Sequence, residues 1–369
     1  MRILLLALMS FVPSLSSAVT EDWMSRAWPD TDAGKRSVEL SEIVSGGPPK
    51  DGIPAIDSPV FETTRAAAAW IEALEPVILL RLNHQSRIYP LQILTYHEIV
   101  NDAVDDIPVA VTFCPLCNAA IVFDRRIGDK TLAFGTTGLL RHSDLVMYDR
   151  QTESWWQQFG GNAIVGSLTG RKLVPIPSEI TSFEAANDRF PEARVMSRET
   201  GHQRPYGRNP YPGYDRIGQR PFLLQGEADP SLPAMERVLG VHSGDAVTLY
   251  PHSTLSRHPV VNDVVGDHPI VVTALDKARS ALDAERLAES RTTLAARAFR
   301  RTVDGRVLTF RSTDGVLIDE QTRSRWNIFG EAVSGELEGA RLTLLEGGSH
   351  FAFAWLAFRP DSTIYRPDE

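Results

Sequence analysis

Cysteine is almost absent from this chain: Cys114 and Cys117 are the only two among 369 residues. Two cysteines cannot build the disulfide framework that small exported domains use in place of a large core. They also fall short of the roughly four thiolates that an iron–sulfur cluster takes. Asn118 follows Cys114-Pro-Leu-Cys117 where attached c-type haem would need a histidine, so no haem is expected. No stretch after the N-terminus comes near the ~18 uninterrupted apolar residues of a membrane helix. Basic residues occur only in scattered pairs, and 38 lysines and arginines face 47 aspartates and glutamates, a net charge of −9. Nucleic acid is therefore not an expected partner, since phosphate binding needs grouped positive charge. There is no glycine-rich phosphate loop and no Gly-x-Ser-x-Gly elbow, so neither a nucleotide nor that kind of hydrolase chemistry is expected.

The N-terminus has the layout of a secretory signal peptide. Arg2 supplies the positive region, Ile3 to Val12 a short apolar run, and Ser16 and Ala18 the small residues before a cleavage point after Ala18. Residues 1–18 are read as that signal, which places the mature chain in the periplasm or outside the cell. The remaining length exceeds one ordinary core, so two domains are expected.

The chain also compares well with itself. Val77–Phe113 and Val238–Ala274 align without a gap at an offset of 161, so that Tyr89-Pro90 meets Tyr250-Pro251, His97 meets His258, and Asn101-Asp102 meets Asn262-Asp263. The match resumes at 176, where Phe123 and Phe134 meet Phe299 and Phe310, so the second copy carries 15 extra residues before Phe299. Trp156, Phe159 and Gly160 then meet Trp326, Phe329 and Gly330 at 170, a loss of six residues within the segment matching Gly135 to Asp149. From Gly166 onward the offset is 169. Residues kept in both copies are expected to hold the module together. The two loops that diverge are the cysteine loop and Gly138–Asp144, and function usually sits on such loops of a shared scaffold.

The expected fold is mainly β (α+β), two tandem homologous β-rich modules with short helices. Pro108–Phe113 and Ala119–Phe123 are apolar, β-branched runs bracketing the cysteines, and Gly128-Asp129 signals a hairpin. Thr64–Leu74 and Ser182–Phe190 read as helices with Thr and Ser caps, and Asp276–Arg300 as a surface helix rich in Ala, Arg and Glu. The expected organisation is an irregular arm at 19–60, module one at 61–196, a Gly/Pro/Tyr-rich connection at 197–233, and module two, a degenerate copy, at 234–369.

Five segments carry a resemblance to a known family: GGPPKDGIPAIDSP (46–59), YPLQILTYHEIVND (89–102), VTFCPLCNAAIVFDR (111–125), SDLVMYDRQTESWW (143–156) and YGRNPY (206–211). At these motifs the chain resembles a bacterial and archaeal family known as domain of unknown function 3179. The resemblance covers most of residues 40–365. It implies an extracytoplasmic location and a site at the Cys-Pro-x-Cys loop, and it implies no activity.

Two cysteines separated by two residues can bind a soft metal, cycle as a redox dithiol, or form a static disulfide. Structural zinc would need two more ligands. Two thiolates and one imidazole suit copper(I), which soft ligands select. His142 is the first imidazole candidate, since it lies in a loop that the second copy alters; it reads equally well as an exposed loop histidine. His97 is a weaker candidate, because its counterpart His258 sits in the cysteine-free copy and a structural hydrogen bond explains both. Asp144 and Tyr148 are further candidates, as is His350 beside Phe351 and Trp355, a feature of copy two alone. Asp144, Tyr148, Asp149 and Glu153 cluster after His142 as acid–base candidates, although Asp149 and Glu153 read equally well as solvated turn residues. Trp155-Trp156 suggests a ligand platform, but Trp156 recurs as Trp326 and so reads as core. A dithiol couple is the chief rival, although the strand expected after the motif lacks the helix N-terminus that lowers a thiol pKa. A non-catalytic interaction module with a structural disulfide is the third reading.

Overall fold

The structure, a computed structural model, describes residues 18–367. Most of the expected signal peptide lies outside the described residues. The protein is mainly β with short helices. In the N-terminal part of the chain, strands Ser178–Ser182, Pro76–Leu82, Gln85–Pro90, Arg194–Met196 and Phe61–Thr63 lie side by side in that order. A second sheet runs Val174–Ile176, Ala119–Asp124, Ile107–Cys114, Ile99–Val104. The third runs Ile43–Ser45, Phe134–Arg141, Asp144–Asp149, Trp155–Gln157, Ala163–Val165. Ile107–Cys114 is buried continuously from Val109 onward, which is why its β-branched run does not alternate with polar residues.

Residues 238–364 repeat several of these ladders in the same register. Val77↔Pro90 through Leu82↔Gln85 recurs as Val238↔Pro251 through Ser243↔Ala246. Ile99↔Thr112 through Val104↔Ile107 recurs as Val260↔Thr273 through Val265↔His268. The parallel pair Arg194↔Arg87 recurs as Thr363↔Thr248. Buried polar bonds recur with the strands, since a buried donor or acceptor needs a partner wherever the framework is built. Tyr89 donates to Asp102 at 2.7 Å and Tyr250 to Asp263 at 2.7 Å. Asn101 exchanges two bonds with the backbone of Phe134, as Asn262 does with Phe310. One alignment detail shifts: Leu173 N–H donates to Gly161, as Leu342 N–H does to Gly330, so Gly161 rather than Gly160 is the structural counterpart of Gly330.

Four expectations change. Asp276–Arg300 is not a helix; it contributes to long strands at His268–Arg279 and Thr292–Arg300, paired with each other. Its alanines suit a helix, but they pack inward from a sheet, and tertiary pairing overrides weak propensity. Thr64–Leu74 is helical only over Thr64–Ala67, after which the backbone closes three-residue turns such as Ala69 to Ala66 and Trp70 to Ala67. The arm 19–60 is not irregular throughout. It holds a helix at Glu21–Ala27 and the strand Ile43–Ser45, which pairs with Leu139–Arg141, and its Trp28 packs edge-on against Tyr148 and Trp155. Finally, His258 is exposed, so the structural hydrogen bonding expected at both positions is seen at the buried His97 and not shared by its counterpart. The helix Phe183–Arg189, capped by Ser182, is as expected.

Several imidazoles are buried as neutral groups. His252, at 9 % exposure, bonds Ser349 Oγ at 3.0 Å, and burial pushes its pKa down from 6.5 to about 3. A depressed basic pKa means that the unfolded chain takes up a proton which the folded chain refuses. The stabilisation is therefore complete above pH 6.5 and is lost as pH falls from there toward 3. In that window His252 should contribute a slope of roughly 1.4 kcal/mol per pH unit. Denaturant unfolding at pH 7, 6 and 5 should show a shallower acid loss in His252→Gln than in the wild type. Parallel pH dependences in the two proteins would refute this.

Candidate metal centre

The Cys-Pro-Leu-Cys motif is the tight end of a hairpin. Cys114 closes its strand opposite Ala119, Pro115–Cys117 form a single 3-10 turn, and Asn118 takes a left-handed conformation (φ 51°) that returns the chain into Ala119–Asp124. Proline suits the start of such a turn because its ring presets φ and the missing N–H is one the turn leaves unpaired. Both sulfurs are therefore turned inward, at 1 % and 0 % exposure, and both are free thiols.

A second hairpin brings the third group. Arg141 pairs with Asp144 across a two-residue turn in which His142 (φ 51°) and Ser143 (φ 68°) are both left-handed. Paired positive φ values match the twist of a hairpin. Asp144, the first ladder residue after the turn, points into the protein and is fully buried. The Cys114 and Cys117 sulfurs and an Asp144 carboxylate oxygen all lie within 4.8 Å of one another. The Ser143 carbonyl stands 3.9 Å from Cys114 Sγ and 3.6 Å from Cys117 Sγ.

His142, expected to complete the donor set, sits at the turn tip instead. Its Nε2 is 3.6 Å from Glu42 and its ring packs against Phe358. His142 lies in the turn itself, and it is Asp144, the first residue back in the ladder, that carries its carboxylate to the sulfurs. His97 is buried and bonded at both nitrogens, Nδ1 to the Pro54 carbonyl at 2.7 Å and Nε2 to Tyr206 Oη at 2.6 Å. Burial pushes its pKa down to about 4. Tyr148 donates to Asp51. His350 lies against Phe159 and Trp355, outside the cysteine cluster. Asp149 holds a turn and the Trp156 indole, and Glu153 pairs with Lys50.

Asp144 is only half satisfied. Its Oδ2 accepts from Gln157 Nε2 at 2.6 Å and from the Phe159 N–H at 2.8 Å. Its Oδ1 is buried, makes no hydrogen bond of ordinary geometry, and has the Cys114 and Cys117 thiols as its polar neighbours. Burial raises the carboxyl from 3.8 to about 6, and burial likewise pushes both thiols up. Glu98 stands nearby, 7 % exposed; burial first, and then the Asp144 charge, raises it to about 8. The 197–233 connection covers the site. Tyr214 donates to the Leu116 carbonyl at 3.1 Å and accepts the Phe222 N–H, while Ser143 Oγ donates to the Phe222 carbonyl.

Sequence reasoning missed Glu98, Ser143, Gln157 and Tyr214. A signal existed for Glu98: the residue at offset 161 is Pro259, so the carboxylate, like the cysteines, has no match in the second aligned segment. Tyr214 lies in the connection, where no copy-to-copy comparison applies.

Residues 50–362 match the family described as "Protein of unknown function (DUF3179)". The chain belongs to this family. No curated protein and no solved structure matches the chain. In this DUF3179 member the match takes in the cysteine hairpin, the Asp144 hairpin, the connection that covers them and nearly all of the second set of ladders.

A buried carboxylate is costly unless hydrogen bonds or a bound cation balance its charge. Here it faces two thiols, and the three groups together are ligands of the kind that zinc and copper take. The second set of ladders lacks every element of this arrangement. Leu275 and Ala278 stand at the cysteine positions by the 161 offset, and the hairpin Phe310–Asp319 turns early, at Asp314-Gly315, so no residue reaches the position of Asp144.

Proposed function

We propose that this protein is an exported metalloprotein in which Cys114, Cys117 and Asp144 hold one thiophilic ion. The observation that carries the reading is the convergence of two buried sulfurs and a buried Asp144 oxygen within 4.8 Å of one another. Export is part of the proposal, supported by the signal-like residues 1–18 and by residues 19–60 folding against module one. So is an internal duplication whose second copy has lost the site, supported by the matching ladder registers.

Charge balance bears on the ion. Two thiolates and a carboxylate carry three negative charges, in a place where burial opposes each of them. A monovalent ion such as copper(I) leaves two uncompensated and a divalent ion leaves one. A carboxylate oxygen in place of an imidazole also makes the donor set harder. Both arguments move the expected ion from copper(I) to zinc(II), which accepts sulfur and oxygen together. When bound, the ion would tie the ends of two hairpins together and could polarise a further ligand. Glu98 and the Tyr214 segment would control what reaches it.

Thiol–disulfide exchange is the second reading, favoured by the closeness of the two sulfurs. Their burial counts against it, because exchange needs a partner thiolate to reach one of them.

The test is metal analysis with thiol titration on the mature protein isolated from the periplasm. One zinc per chain is expected, absent from Cys114→Ser and Cys117→Ser. A protein that takes up neither zinc nor copper when reduced, and is isolated with no titratable thiol, would show the pair to be a disulfide.

A further inference from the structure

The two modules meet at two interfaces that the strand registers make equivalent. In the first, strand Ser178–Ser182 and helix Phe183–Arg189 face Arg297 and Phe329. In the second, strand Gly347–Phe351 and helix Ala352–Phe358 face Ile121 and Phe159. The ladder pair Glu179↔Leu79 corresponds to Gly348↔Gly240, and Thr112↔Ile121 to Thr273↔Arg297.

The first interface is closed by ion pairs. Glu179, 3 % exposed, takes Arg297 at 2.7 Å and Arg81 at 3.3 Å. Glu331 takes Arg189 and, at 3.6 Å, Arg341. In the second interface Gly348 stands in place of Glu179, Ile121 of Arg297, His242 of Arg81 and Asn162 of Glu331. The basic position of Arg341 is kept as Lys172, and Arg359 stands where the first interface has Phe190. So one interface has lost both carboxylates but keeps cations, and there a cleft of about 310 Å³ opens, lined by Lys172, Arg359, His242, His350, Phe159 and Trp355.

This cleft is built. The Trp355 ring lies on Gly240, where a Cβ would come within 2.2 Å of it, and the His350 ring lies on Gly348, where a Cβ would come within 2.4 Å. The two rings are stacked 5.2 Å apart at 15°, with Phe159 edge-on to both. His350 is 2 % exposed; the Ala120 carbonyl is its polar neighbour, although neither ring nitrogen makes a hydrogen bond of ordinary geometry. Asp245 and Glu346 also face the cleft; Glu346 feels the charges of both Lys172 and Arg359, but no carboxylate closes on either cation within 4 Å among the described residues. The volume is at the lower end of small-ligand sites, and an apolar aromatic wall with a few polar groups is their usual make-up.

We propose that this cleft binds a small aromatic carboxylate, whose charged group meets Lys172 and Arg359 and whose ring lies against Phe159 and Trp355. The ligand carboxylate takes the part that Glu331 and Glu179 play in the closed interface. The proposal stands apart from the metal reading, since none of the groups it uses is a metal ligand. The link between the two sites is Phe159, whose N–H holds Asp144.

The experiment is calorimetric titration of the mature, full chain with 2-naphthoate, 2-naphthamide and phenyltrimethylammonium. Saturable one-to-one binding of 2-naphthoate is expected, at least tenfold tighter than either other probe. Lys172→Ala and Arg359→Ala, which form no ion pair within 4 Å but face Glu346 electrostatically, should each weaken it several-fold, with Tm changed by no more than about a degree, as expected of a surface charge. Equal binding of the amide, tighter binding of the ammonium probe, affinity unchanged in both variants, or no binding at all would each overturn the proposal.

Discussion

Asp144→Asn is expected to abolish metal binding while leaving the metal-free protein at least as stable as the wild type. The single amide oxygen can accept both bonds now made by Oδ2, from Gln157 and from Phe159 N–H, and it turns an NH2 group toward the sulfurs. The ligand oxygen is gone. Losing even an outer-shell partner of a metal typically costs 10–100-fold in affinity, so a lost ligand should cost on the order of 100-fold or more. Stability moves the other way. A carboxyl raised from 3.8 to about 6 binds its proton better in the folded state, so the metal-free wild type gains stability as pH falls from 6 toward 3.8 and carries a penalty above pH 6. At pH 7.5 that penalty is on the order of 3 kcal/mol, and asparagine removes it. Metal content and Tm with and without chelator decide the matter. A variant that keeps its full metal content would rule Asp144 out as a ligand. A metal-free variant much less stable than the metal-free wild type would make Asp144 a structural group instead.

The mainly β fold was legible because β-branched runs and turn dipeptides are local signals, and Ile107–Cys114 and Gly128-Asp129 carry them undisturbed. The alanine-rich Thr292–Arg300 was not legible, because its strand identity comes from a partner strand rather than from its own residues. The site was legible in part. Comparing the copies pointed to the cysteine loop and to Gly138–Asp144, and the structure brings these two segments together. The comparison could not say which residue of the second segment turns inward. That choice depends on a turn at His142-Ser143, and a shift of one position would present the other face of the strand. The roof over the site was invisible for another reason. Tyr214 and Phe222 belong to a connection without period, and only packing places them over Leu116 and Ser143.

The shared framework leads to the second large effect. Asp149 and Asp319 are buried in matching turns: each accepts from the backbone N–H of the threonine three residues on (Thr152 and Thr322) at 2.7 Å, and each accepts a tryptophan indole, Trp156 at 2.9 Å and Trp326 at 3.0 Å. Alanine at either position leaves a buried indole N–H and a turn N–H without their acceptor, at about 1–3 kcal/mol apiece, so Asp149→Ala and Asp319→Ala should each lose on the order of 3 kcal/mol. The losses should appear in one thermal transition. Val111 and Leu94 of the first module belong to the same buried cluster as Val238, Leu249 and Phe351 of the second, and Arg297 of the second closes on Glu179 of the first, so neither module can unfold without opening the other's core. Metal content separates the two variants. Asp319 lies in the hairpin that turns before reaching any cysteine position, so Asp319→Ala should keep its full complement while its Tm falls. Calorimetry that resolved two transitions, with Asp319→Ala moving only one, would mean that the modules unfold independently despite the shared core.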